Sequence, residues 1–209
     1  MKQPLLVFSF LAAFSISLVA NAAPAVDGPT GLIAVPSADT LREGQFSLGY
    51  YKLDDGGTGS FNMSLTNQLE VGVAGFHYDN RDKDYLLNAK FSIFPETVLT
   101  PGFAVGVLDA TGKKERTAYA VVSKALPFGF RLHAGVGNGR YDGGFAAIEK
   151  TINPLHILTG NNVFPATTLI AEYDGRKFNY GARMSVLPGL KLDAGRRHDS
   201  TYFGISFTN

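Results

Sequence analysis

The chain has 209 residues, a formal net charge of +1, no cysteine and no tryptophan. Near-neutral charge leaves no electrostatic case for nucleic acid or a strongly acidic partner, and without cysteine the fold has no disulfide staples. Charged residues make up only 18%, below the ~25% usual for soluble domains, while glycine, Phe and Tyr are abundant.

The chain opens on a short basic start, Met1-Lys2-Gln3, an apolar run and then the small residues Ala20-Asn21-Ala22. This is the three-part pattern of a secretory signal peptide over residues 1–22, with cleavage expected after Ala22 or Ala23. The next stretch, 23–43, is punctuated by Pro and Gly around the small apolar group Leu32, Ile33 and Val35. It can run as a periplasmic lead-in or enter a barrel mouth as a plug.

From residue 44 onward apolar residues recur at every second position. "QFSLGYY" presents Phe46, Leu48 and Tyr50; "SFNMSLT" presents Phe61, Met63 and Leu65; "LEVGVAG" presents Leu69, Val71 and Val73. "YLLNAKFSIF" and "FRLHAGV" continue with Tyr85, Leu87, Phe91, Phe130, Leu132 and Val136. "KFNYGARMSV" and "LKLDAG", joined at Leu187-Pro188-Gly189, are the clearest, and "YFGISF" is the last. Segments 102–110, 117–125 and 144–151 are apolar on both faces, so their inward side cannot be assigned by alternation. With 166–174, these give about 12 strands (10 to 14), and no 3.6-residue pattern competes.

The connections sort by parity. After odd strands they are polar: "LDDGGTG", "YDNRDKD", "ATGKKER", "NGRYDGG", "DGRK" and "RRHDS". After even strands they are mostly short or built from Pro and Gly; the exception, 153–165, is long enough to hold a short helix. Polar loops at one end and tight turns at the other are the pattern of an antiparallel up-and-down transmembrane β-barrel, all-β, over residues 44–209. A soluble sandwich also alternates, but has no reason to sort its loops.

"GPTGLIAVPSADTLREGQFSLGYY" (28–51) resembles the N-terminal signature of the YjbH-type outer-membrane proteins, named for exopolysaccharide biosynthesis. "LIAEYDGRKFNYGARMSVLPGLKL" (169–192) looks like that family's repeating hairpin, in a chain shorter than the usual member. The resemblance implies an outer-membrane protein linked to making or exporting surface polysaccharide, with polysaccharide and periplasmic export proteins as partners. It implies no catalytic residue.

Arg131, His133, Glu172, Arg183, Lys191 and Asp193 fall on the polar side of their strands, which in a barrel faces the lumen. They can line a pore, bind a sugar acid or pair with one another. Pairing across the 178–195 hairpin must sum to an even number to keep Val186 and Leu190 on one face. A three-residue connection sets that sum so that Arg183 lies opposite Asp193. His77, Asp79, His198, Asp199 and Ser200 cluster near loops, as scattered His and Asp often do, and no metal-ligand spacing is present. The expectation is a non-enzymatic outer-membrane barrel in exopolysaccharide biosynthesis, export or surface assembly, with no cofactor or metal. A small general porin, or a barrel enzyme, is the alternative.

Overall fold

In the computed structural model, residues 22–78, 83–152 and 165–209 are described. The expected leader up to Asn21, Asp79 within the second polar loop, and most of the long connection at 153–165 lie outside the described residues.

Strands form where the alternation predicts them. They are β1 (Phe46–Leu53), β2 (Gly56–Ser64), β3 (Leu69–Tyr78), β4 (Asp84–Phe94), β5 (Gly102–Leu108) and β6 (Thr117–Ala125). They continue as β7 (Phe130–Gly137), β8 (Gly143–Ile152), β9 (Thr167–Tyr173), β10 (Phe178–Leu187), β11 (Leu190–Arg197) and β12 (Ser200–Thr208). Each pairs antiparallel with its sequence neighbours, and β12 returns to β1 to close the barrel. Closure removes the free edge that an open sheet would present. At the seam, Asn209 accepts hydrogen bonds from Phe46 N at 2.7 Å and from Gln45 Nε2 at 2.7 Å.

Two ends follow from this topology. The connections after odd strands, such as Asp54-Asp55 and 109–116, mark a loop end; those after even strands mark a turn end. The first polar loop is shorter than its sequence suggested, because Gly56–Gly59 belong to β2. Tyr50 pairs with Gly59, and a side chain at Gly57 would run into the Tyr50 hydroxyl.

Along every strand one set of residues faces out. Leu48, Tyr50, Leu87, Leu132, Leu169, Met184, Leu192 and Ile205 are all exposed, forming a continuous apolar belt. A belt of that extent is the lipid-contacting face of a membrane barrel. The ambiguous segments now have a direction: Ala104 and Leu108, Tyr119 and Val121, and Phe145 and Ala147 are buried inside. Interior aromatic rings lie flat across glycines of the next strand. A Cβ on Gly204 would sit 2.1 Å from the Tyr51 ring, so that glycine is what lets the ring fill the lumen.

The β10–β11 hairpin has the expected register: Arg183 faces Asp193, Met184 faces Leu192 and Ala182 faces Ala194. Its connection differs in detail. Leu187 pairs with Leu190 across the two residues Pro188-Gly189, and the extra residue is taken up as a bulge between Ser185 and Leu187. Gly189 has φ +77°, the positive φ that a type II turn needs at its third position, after a Pro at its second.

Candidate functional site in the barrel lumen

The lumen is occupied by residues 22–41. Ala23, Val26, Leu32, Ile33, Val35 and Leu41 are buried almost completely. The segment folds on itself through antiparallel bridges Pro24–Thr30 and Gly31–Pro36 and through Val26 N donating to Ile33 O at 2.9 Å. It enters at the turn end, where Thr208 Oγ1 donates to Ala22 O at 3.2 Å. It reaches the loop end at Asp27, held by Arg140 Nη2 at 2.6 Å and Arg197 Nη2 at 2.7 Å. It then returns to the turn end at Asp39, which takes a two-pronged bond from Arg131 at 2.5 and 2.7 Å.

Between these ends the grip is on the segment's main chain. Glu172 accepts Ala34 N at 2.7 Å, Ile33 N at 3.0 Å and Val35 N at 3.3 Å, and Asn179 Nδ2 at 3.0 Å completes its shell. Glu70 accepts Thr30 N at 3.1 Å, Leu41 N at 3.2 Å and the Thr30 hydroxyl at 2.7 Å. Cations serve the carbonyls. Arg183 donates to Gly31 O and Leu32 O at 3.0 Å each and to Asp193 Oδ1 at 2.6 Å. Lys90 donates to Thr30 O at 2.8 Å and sits 3.8 Å from Glu70. A segment that folds into so tight a loop cannot pair all its own peptide groups. Charged side chains from the wall meet that demand, as buried backbone polar groups require.

All six residues singled out from the sequence face inward, and they fall into distinct sets. Arg183 and Asp193 form a buried pair, with side chains 8% and 1% exposed. Lys191 is buried one pleat away on the same inner face as Asp193. Glu172 stands apart beneath Ile33–Val35. Arg131 joins Asp39 and Glu96, while His133 lies buried between Ser123 Oγ and Glu149 Oε1, both at 2.7 Å. Glu70 and Lys90 escaped the sequence reading although the alternation pointed at them: each sits between two lipid-facing apolar residues. Ser123 and Glu149 were hidden because their strands are apolar on both faces.

Ser123, His133 and Glu149 stand in the order of a hydrolase relay. Ser123 Oγ, however, accepts Ala38 N at 2.8 Å and is wholly buried beneath the segment, so no substrate carbonyl can approach it. At the loop end the ring of His198 bonds to Asp174, not to Ser200, and Asp199 pairs with Lys177. His77 is exposed on the outer face of β3. Burial pushes the Asp174 carboxyl up, but bonds from His198, Lys177 N and Asn179 outweigh it and hold the group below the usual carboxylate range.

Two cavities flank the segment. One of about 370 Å³ opens at the turn end beside Asp39, Glu96 and Arg131. The other, about 180 Å³, lies at the loop end above Asp27, among Arg140, Arg176 and Arg197. They share no lining residue.

A family described as "YjbH: Exopolysaccharide biosynthesis protein YbjH" matches residues 26–156, a stretch running from the lumenal segment through β8. The chain belongs to the YjbH family. A curated relative, the "Uncharacterized lipoprotein YjbH" of Escherichia coli (strain K12), is 33% identical over an alignment of 125 residues that covers 53% of this chain and 18% of the relative. The chain therefore matches less than a fifth of that relative's length. Among solved structures, the KdgM porin in complex with disordered oligogalacturonate superposes with a TM-score of 0.54 at 8% identity. That likeness covers 78% of this chain and 97% of the porin, and it supports the porin-like barrel fold alone.

Proposed function

We propose that this YjbH-family chain is a non-enzymatic outer-membrane barrel, closed by its own residues 24–41, that serves exopolysaccharide biosynthesis by supporting export or surface assembly. The observation that carries the reading is the lumen itself. Glu70, Lys90, Glu172 and Arg183 are spent on the backbone of the chain's own segment. An interior so committed suits a closed or gated barrel better than a general porin. Family membership supplies the link to exopolysaccharide, and the loops that follow odd strands face the cell exterior in this reading. The segment 24–41 acts as the plug, and Arg131, His133, Glu172, Arg183, Lys191 and Asp193 are lumen residues that hold it or pair beneath it. Periplasmic export proteins would meet the turn end.

A channel reading has one observation in its favour: the porin with the same fold is in complex with disordered oligogalacturonate. Planar-bilayer recording separates the two. The intact protein should conduct weakly, and removal of residues 24–41 should raise single-channel conductance severalfold. Porin-sized conductance from the intact chain would overturn the plugged reading. Unchanged surface polysaccharide after gene deletion would overturn the link to exopolysaccharide.

A further inference from the structure

We propose that the turn end of the barrel carries a clip for the phosphate headgroup of an anionic phospholipid, built from Lys124 and Lys150. The proposal rests on the barrel being membrane-embedded, as read above. Lys124 pairs across the ladder with Leu132, Leu132 pairs with Ile148, and Phe130 pairs with Lys150. All five sit on the outward face, so the two lysines stem from either side of an apolar patch of β7, with the Lys124 ammonium over the 97–98 connection and the Lys150 ammonium over Phe128 and Phe130.

Each ammonium is fixed by backbone carbonyls. Lys124 Nζ donates to Thr97 O and Val98 O at 2.7 Å each. Lys150 Nζ donates to Phe128 O and lies 4.3 Å from the centre of the Phe130 ring. Among the described residues, neither lysine has a carboxylate within ion-pair distance. The acids next to this site, Glu96 beside Thr97 and Glu149 beside Lys150, are turned inward to Arg131 and His133. Residues 153–164, which follow β8, contain no Asp or Glu. Carbonyls orient an ammonium but do not neutralise it, so two fixed cations remain at the edge of the lipid belt. A lysine in that position is a point-charge partner for phosphate.

The turns beside them are built to sit in the interface. Leu99 and Phe128 are 89% and 86% exposed. Phe128 has φ 63° and ψ 23°, the left-handed region that costs a bulky residue energy, and it leaves the ring outside the barrel. Such strain persists where the exposed side chain has a use. The occupant is lipid and not a protein because the patch runs on into the lipid-facing residues Leu126, Phe130 and Leu132, and because its unneutralised charge complements an anionic headgroup.

The test is native mass spectrometry of the full chain in non-ionic detergent, with added dioleoyl phosphatidylglycerol or dioleoyl phosphatidylcholine. The native protein should retain phosphatidylglycerol preferentially. K124Q/K150Q should lose that preference by roughly thirtyfold, as expected for two interfacial lysines. K52Q/K177Q, at the loop end, should not change it. All three proteins should keep a heat-dependent gel shift, which reports an intact barrel. Equal retention of the two lipids by the native protein, undiminished retention by K124Q/K150Q, or an equal loss in K52Q/K177Q would each overturn the clip. Absence of the gel shift in the native protein would count against the membrane-barrel reading instead.

Discussion

Arg183 concentrates the economy of the interior. One guanidinium pairs with Asp193 across the β10–β11 ladder and donates to Gly31 O and Leu32 O of the segment below. An exposed cross-strand ion pair contributes roughly 0.2–1 kcal/mol. Here both partners are buried, and leaving one charge unpaired costs roughly 3–5 kcal/mol. Arg183→Ala and Asp193→Ala should each lower the temperature of barrel unfolding, and the double variant should lose less than their sum. Arg183→Ala should be the worse of the two, because only it also removes the donor to three carbonyls of the segment, those of Pro24, Gly31 and Leu32. Additive losses in the cycle would show that the pair is not energetically coupled.

At the scale of the element, the lumenal segment and the barrel wall are different kinds of structure. The wall is held by ladder hydrogen bonds and closes on itself where β12 pairs with β1. The segment has little regular structure and depends on Glu70 and Glu172 to accept its N–H groups. Replacing both by Gln removes the charge and halves the acceptor oxygens. Glu70→Gln with Glu172→Gln should therefore speed amide hydrogen exchange at Thr30, Ile33, Ala34, Val35 and Leu41 by at least tenfold, roughly 1.4 kcal/mol. Exchange in β10 and β11 should hardly move. Unchanged protection at those five amides would mean that shape, and not the carboxylates, retains the segment.

The whole molecule inverts the usual arrangement of a soluble protein, with Leu and Phe outside and Glu, Lys and Arg within. Such a body is stable only where lipid covers the belt. The protein should fractionate with outer membranes, resist urea extraction and migrate faster on gels before heating than after it. Tags inserted at Gly112-Lys113 or Asp142-Gly143 should be reachable from outside intact cells. Recovery as a soluble monomer, or labelling only after the envelope is opened, would sink the assignment of location and orientation.

What the sequence determined by itself was everything governed by periods of two. Strand positions, the lipid face of eight strands, the sorting of connections and the opposition of Arg183 to Asp193 all follow from alternation, because a slip of one residue turns a strand inside out. The same rule placed six charged residues inside. Alternation was silent for β5, β6 and β8, where small and apolar residues occupy both faces, and so Ser123 and Glu149 stayed hidden. Only the tertiary structure decided what the lumen contains. Residues 22–41 have no period to read, and their place is set by contacts from Glu70, Lys90, Glu172 and Arg183, separated from their partners by 29 to 159 positions. Alternation is a property of neighbours along the chain, whereas the fit of an irregular segment into a charged interior exists only once the wall has closed around it.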